Sequence, residues 1–394
     1  MVAHPPRPSL RPERPQFSSG PTVKPPGWSL EKLRGAVLGR SHRNGPGQAR
    51  LAEAIRLTRE VLELPDDWLL GITPASDTGA VELALWNLLG ARPVQVLAFE
   101  NFGEAWARDV RDHLKLENAE ILSAPYGELP DLSRVRPDAD VVFAWNGTTS
   151  GVRVPNADFI AGDRQGLAIC DATSAAFAQP LDWAKLDVVT FSWQKALGGE
   201  AAHGMLALSP RAVERLTTFS PPRPLPKIFR LTNAEGELDR AFFEGATLNT
   251  PSLLCVEDWL AALRWAASVG GLSETIRRSD ANAEALLGWV ARTPWIEPLA
   301  ARPETRSNTS VCLRISDSRV ASLPAEAQRA FAKRLAGLLE KEGVAFDLAA
   351  HKASPPGLRV WCGPTVDTRD VEALTPWLDW AFAVASSDLA EAGG

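Results

Sequence analysis

Largely apolar runs of six or seven residues recur along the first half of the chain. They are "WLLGITP" (68–74), "VQVLAFE" (94–100), "AEILSAP" (119–125), "DVVFAWN" (140–146), "GLAICDA" (166–172), "LDVVTFS" (186–192) and "GMLALS" (204–209), and they read as strands. Segments of helical period stand among them. "ARLAEAIRLTREVLEL" (49–64) is one, and "DTGAVELALWNLLG" (77–90) follows with Ser76 or Asp77 as its cap. "EAWARDVRDHLKL" (104–116) and "PRAVERLTTF" (210–219) complete the set. Strands apolar on both faces, interleaved with helices, predict an α/β fold with a mostly parallel sheet between helical layers. The four prolines of "SPPRPLPKIFR" (220–230) break that rhythm as an exposed connection. Beyond it, "LLCVEDWLAALRWAASVGG" (253–271), "EAQRAFAKRLAGLLEKEG" (326–343) and "LTPWLDWAFAVASSDLAEA" (374–392) read as helices. "TSVCLRI" (309–315) and "GLRVWCG" (357–363) read as short strands, which is α+β in character. The expected division is a flexible Pro/Arg-rich arm over 1–16, a large domain over 17–255 and a smaller C-terminal domain over 256–394.

Composition narrows the function. At 394 residues with net charge −6, no basic face is available to neutralise phosphates along a nucleic acid. No uncharged apolar run reaches membrane-spanning length, and the start of the chain has no apolar signal core. Four scattered cysteines and five scattered histidines argue for reduced thiols in a cytoplasmic protein, and against a disulfide framework or a metal site. The fourteen tryptophans beside a single tyrosine point to no particular function.

Ligands of parallel sheets bind at the carboxyl ends of strands. Asp171 ends "GLAIC", Lys195 follows "VVTFSW", Asn146 and Thr148 follow "DVVFAW", and Ser76, Asp77 and Thr78 open a helix after "LLGITPA". A helix N-terminus with hydroxyls makes a phosphate cup, although an Asp77 carboxylate turned inward would repel the anion. A lysine and an aspartate at such strand ends suit pyridoxal phosphate: an amine to condense with the aldehyde, and a carboxylate to hold the pyridine nitrogen protonated. The plain alternatives are a snorkelling lysine and a turn-forming aspartate.

Together "FSSGP", "SHR", "PASDTGAVELALW", "NGTTSGV", "DATSA", "FSWQKALGGEAAHG", "LNTPS" and "GLRVWCG" resemble the phosphoserine aminotransferase family, class V aminotransferases of fold type I. The likeness runs from about Phe17 into the C-terminal third. It implies transamination between 3-phosphohydroxypyruvate plus glutamate and phosphoserine plus 2-oxoglutarate, in serine biosynthesis. Vitamin B6 (pyridoxine) synthesis is an additional possibility, through phosphohydroxythreonine. It implies that Lys195 bears the cofactor and that Asp171 pairs with the pyridine nitrogen. By the same likeness Thr148 lies by the ring hydroxyl, Gln194 contacts the phosphate, and Ser76, Asp77 and Thr78 form the cup. Asn249 and Thr250 match residues that reach the cofactor phosphate of a neighbouring subunit, which implies a homodimer. Phe102, with Trp106 as second choice, matches the ring-stacking aromatic. Arg359 matches the α-carboxylate arginine, and Ser19, His42 and Arg43 match substrate-side residues. His351 and Lys352 stand where some relatives carry an arginine.

Three rival readings share the cofactor. One is a serine– or alanine–glyoxylate aminotransferase. Another is a cysteine desulfurase, for which Cys362 is the candidate thiol. The last is a cofactor-binding protein without turnover.

Overall fold

The computed structural model describes residues 5–233 and 235–392, and the side chains among them up to Ser387. Helix α1 (Gly45–Leu62) starts four residues before the expected stretch, because the Asn44 side chain accepts from Gly47 N and Pro46 sits in the first turn. It leads to β1 (Leu69–Pro74), α2 (Ser76–Leu88), β2 (Val94–Ala98) and α3 (Asn101–Arg108), which one π-helical turn prolongs to His113. There follow β3 (Ala119–Ser123), β4 (Asp140–Ala144) and a small pair, β5 (Asn146–Gly147) with β6 (Val152–Arg153). Then come β7 (Ala168–Asp171), β8 (Val188–Ser192), β9 (His203–Leu208) and α4 (Pro210–Thr218).

Seven of these strands form one sheet in the order β1-β9-β8-β7-β4-β2-β3. All run parallel except β9, which pairs antiparallel with both β1 and β8. Strands β2, β4, β7, β8 and β9 are buried at every position, as their unbroken apolar runs require.

Asp187, the residue before β8, is buried at the base of this sheet. Its carboxylate accepts from Arg164 Nε and Nη2 at 3.1 Å, from Arg211 Nε at 3.0 Å and from Ala168 N at 2.8 Å. Asp140, opening β4, is likewise held by Arg215 and by Leu167 N. Two buried acids thus bind the strand ends opposite the site described below.

Helix α5 (Leu253–Val269) packs on α1, and α6 (Gly271–Val290) follows directly after Gly270. The C-terminal unit has an antiparallel sheet of β10 (Ile296–Pro298), β11 (Ser310–Ile315) and β12 (Leu358–Trp361). Helices α7 (Ser318–Ala321), α8 (Ala325–Lys341) and α9 (Thr368–Ala392) complete it. Its core is separate from that of the large sheet. Trp295 stacks on Phe382 there at 4.2 Å, and the indoles of Trp289 and Trp295 both donate to Asp379.

The Pro/Arg-rich start, expected as a free arm, is instead laid against this C-terminal unit from residue 5 onward. Arg11 stands 4.9 Å over Trp377, whose indole donates to Leu10 O at 2.8 Å. Arg7 pairs with Glu342 at 2.7 Å, Phe346 N donates to Pro15 O at 2.9 Å, and Glu13 N donates to Asp370 at 2.7 Å. Arginines over indoles and carboxylates give a polyproline-like segment partners that its own composition does not reveal. Among the described residues no helix is long and apolar enough to cross a membrane.

Candidate active site

The carboxyl ends of β1, β4, β7 and β8 converge on a cavity of about 230 Å³. It is lined by Ser76, Asp77, Thr78, Phe102, Thr148, Asp171, Gln194 and Lys195, together with Gly20, Glu100, Trp106, Asn146, Thr173 and Ser192. Ten residues singled out from sequence, Asn146 and Trp106 among them, therefore face one space.

One end of the cavity is the start of α2. Neither Ser76 nor Asp77 caps this helix as expected. Ala75 is the cap residue, and it has no side-chain hydrogen bond to give. Ala75 (φ 62°) and Ser76 (φ 53°) are both left-handed, an arrangement that costs energy and is held by Ser76 N donating to Ala202 O. Gly79 allows the tight turn, because a Cβ there would lie 2.1 Å from Pro74 O. The first turn leaves backbone N–H groups without helical acceptors, beside the Thr78 and Ser192 hydroxyls.

Asp171, on the sheet side of the cavity, is buried. Its Oδ2 accepts from Trp106 Nε1 at 3.1 Å and its Oδ1 from Thr173 N at 3.0 Å. Trp106, the second choice for the stacking ring, holds the acid instead. Phe102, 37% exposed, offers its ring to the cavity. Glu100 went unnoticed in the sequence. It is buried, caps α3 through Phe102 N and Gly103 N, and accepts from Thr149 Oγ1 at 2.6 Å. The signal available for it was an acid at the end of "VLAFE".

Lys195 also lines the cavity, half-buried, and its Nζ donates to Ser19 O. Gly20, at φ 142°, leaves room for the amine, since a Cβ there would lie 2.6 Å from Lys195 Nζ and would push it aside. Burial, and secondarily the nearby Arg359 guanidinium, lower the lysine from 10.5 to about 8, against the opposing pull of Asp171, Glu100 and Asp77. Near neutral pH a useful fraction of the amine is therefore unprotonated and nucleophilic.

Thr148 is fixed by Ser174 Oγ at 2.9 Å, and its carbonyl accepts from Arg359 Nη1 at 3.4 Å. Arg359 is half-buried and its Nε–H is buried without a partner, which leaves the fork ready for an anion. Ser19 is buried, with its hydroxyl 3.2 Å from that of Ser310. His351 sits 6.5 Å from the Phe102 ring, and burial, with Arg359, Lys352 and Lys195, keeps it below the usual histidine range.

Six expected site residues are not among those lining this cavity: Ser19 and Arg359, described above, and four others. Arg43 is exposed on a surface cleft shared with Thr247 and Leu248, and Asn249 and Thr250 are exposed on the adjoining segment. His42 is half-buried, with its Nε2 lacking a partner.

This donor set suits pyridoxal phosphate. A helix N-terminus and hydroxyls suit a phosphate, a buried aspartate held by two N–H donors suits a pyridinium, and an amine of lowered basicity lines the same cavity.

No protein-family model matches the chain. It is 52% identical over 378 residues to the phosphoserine aminotransferase of Methanosarcina barkeri, covering 95% of this chain and 99% of that one. The phosphoserine aminotransferase of Methanosarcina mazei is likewise 52% identical over 376 residues, with the same shares covered. A pyridoxal-phosphate-bound phosphoserine aminotransferase from Trichomonas vaginalis superposes with TM-score 0.74, covering 94% of this chain and 100% of that one. At 17% identity that likeness speaks for the fold. With 52% of aligned positions identical along nearly the full length of both proteins, the chain belongs to the phosphoserine aminotransferase family.

Proposed function

We propose that this chain catalyses the pyridoxal-phosphate-dependent exchange of an amino group between phosphoserine plus 2-oxoglutarate and 3-phosphohydroxypyruvate plus glutamate. The observation that carries the reading is the shared cavity of Lys195 and Asp171 at the carboxyl edge of the parallel sheet, in a chain of this family. The cofactor, when bound, supplies an electron sink for negative charge at the substrate α-carbon. The chain's residues do the rest. The α2 N-terminus with Thr78, and Gln194 beside it, holds the phosphate. Asp171, fixed by Trp106 and Thr173, holds the proton on the ring nitrogen. The Phe102 ring packs on the pyridine face, where an offset contact adds about 0.5–1.5 kcal/mol. Lys195 Nζ first anchors the cofactor and then takes the proton from the substrate α-carbon.

Arg359 receives the α-carboxylate in this scheme. Arg359→Lys keeps the charge but loses the fork, and a charge-assisted hydrogen bond is worth about 1.5–3 kcal/mol. The expected result is a KM for phosphoserine raised roughly 10- to 150-fold with kcat far less changed. An unchanged KM would remove Arg359 from the substrate site.

The desulfurase reading needs an accessible thiol. Cys362 is buried just past β12, and burial pushes its thiol up, so the aminotransferase reading is preferred. Steady-state comparison tests the substrate. Phosphoserine–oxoglutarate exchange should outpace alanine–glyoxylate exchange, and the reverse order would overturn the assignment. All four cysteines are free thiols, which supports a reducing compartment, the cytoplasm.

We further infer a homodimer in which Arg43, Asn249 and Thr250 serve the partner's cavity. Their exposure outside the chain's own cavity supports this, as do the exposed apolar Leu30, Leu38 and Leu254. Complementation tests it. A Lys195→Ala chain co-expressed with an Arg43→Ala chain should regain activity that neither has alone, with one working site per mixed dimer. Absence of recovery would place Arg43 in its own chain's site.

A further inference from the structure

A second acid stands behind the first. Asp77 lies in the opening turn of α2, where an ionised carboxylate would repel the phosphate that the same turn is built to receive. It lines the cavity, is 6% exposed, and its Oδ1 is buried with no hydrogen-bond partner. Among the described residues no lysine or arginine forms an ion pair with it. Asp171 is the charged neighbour acting most strongly on it, and Asp77 in turn acts on Lys195, whose amine is bonded to Ser19 O. The hydroxyls of Thr173 and Thr190 flank it and favour its anion, an influence smaller than burial and the charge of Asp171, which act the other way. Thr190 sits on β8 directly opposite Asp171 on β7, so both acids share one small buried volume between α2 and the sheet.

Two ionised carboxylates in such a volume repel each other and forgo solvation, so the pair retains a proton. The hydrogen-bond donors decide which acid keeps it. Asp171 accepts N–H groups from Trp106 and Thr173, and both stabilise its anion. Asp77 has no comparable donor on Oδ1. Burial pushes the Asp77 carboxyl well above the usual carboxylate range, and the neighbouring Asp171 adds to the effect.

We propose that Asp77 is a positioning residue of the cofactor site: a neutral carboxylic acid that donates its O–H to Asp171, so that the pair carries one negative charge, held on Asp171. This rests on the aminotransferase reading above. The arrangement matches one carboxylate to one pyridinium and spares the phosphate end a like charge.

The test uses infrared difference spectra and cofactor affinity on the intact protein. At neutral pH the parent should show the carbonyl stretch of a protonated carboxyl that Asp77→Asn removes. An unchanged band would overturn the proposal without any reference to activity. Pyridoxal phosphate affinity is read from tryptophan fluorescence. Asp77→Asn, always neutral and still a donor, should bind within about threefold of the parent, and Asp77→Ala should bind about tenfold or more weakly. If Asn is as harmful as Ala, or Ala is harmless, the proposal fails. Should the parent itself bind no pyridoxal phosphate, the aminotransferase reading fails instead, while the infrared band still reports on the acid pair. Thermal midpoints of the cofactor-free variants separate loss of the site from loss of the fold.

Discussion

Lys195→Ala is expected to lower transamination by about 10⁴-fold or more, at or beyond the upper end of what a positioned acid–base group supplies. Its amine is placed both to anchor the cofactor and to move the α-proton, so no other group in the cavity replaces it. The check is single-turnover kinetics with phosphoserine, together with borohydride reduction followed by mass spectrometry. The parent should retain the reduced cofactor on Lys195, and the variant should not. Covalent loading should also report the lysine's basicity, because only the neutral amine attacks an aldehyde. With the amine lowered from 10.5 to about 8, the loading rate should climb through pH about 8 and then level off. The same shift fixes a sign for stability. Between pH about 8 and 10.5 the unfolded chain binds a proton that the cofactor-free folded chain has released, so stability from this group rises with pH across that window. A loading rate still climbing toward pH 10.5 would mean an ordinary solvated lysine.

The second large effect falls on folding. Asp187→Ala removes the acid that holds Arg164, Arg211 and Ala168 N beneath β7 and β8. Arg164 is 8% exposed, so the variant leaves a buried guanidinium without its counter-charge. Stranding one member of a buried pair costs about 3–5 kcal/mol. The urea midpoint should fall accordingly, with the slope unchanged if the native state stays compact. Arg211 is partly exposed and contributes less, so Arg211→Ala should shift the midpoint by a fraction of that amount. Equal shifts for Asp187→Ala and Arg211→Ala would refute the role assigned to burial.

The sheet was legible because its strands are buried on both faces, and such strands leave unbroken apolar runs in the chain. Helix α6 was not legible. Its buried stripe runs Thr275, Ser279, Asn282, Leu286, Trp289, so the first three inward positions are polar. Asn282 Nδ2 satisfies itself on the carbonyls of Cys362, Gly363 and Val366, a partner set 80 residues away that hydrophobic period cannot signal. Lys195 and Asp171 could be found because strand ends are where parallel sheets place chemistry. The direction of a side chain could not be read in the same way. Asp77 belongs by position to the phosphate end, yet its carboxyl neighbours Asp171. Trp106 falls one helical turn past the ring-stacking position, and its indole N–H settles on the acid.

The strand of chain that follows the pinned N-terminal segment touches both units within a few residues. Phe17 is buried in the C-terminal core and its carbonyl accepts from Trp361 N. Ser19 O receives the Lys195 amine, and Thr22 N donates to Gln194 O. The tether is thus two residues long between an anchor in one body and the resting place of the reactive nitrogen in the other. Any pivoting of the C-terminal body must drag Phe17, and the carbonyl that parks the amine moves with it, so docking of that body and the lysine's reach are mechanically geared together.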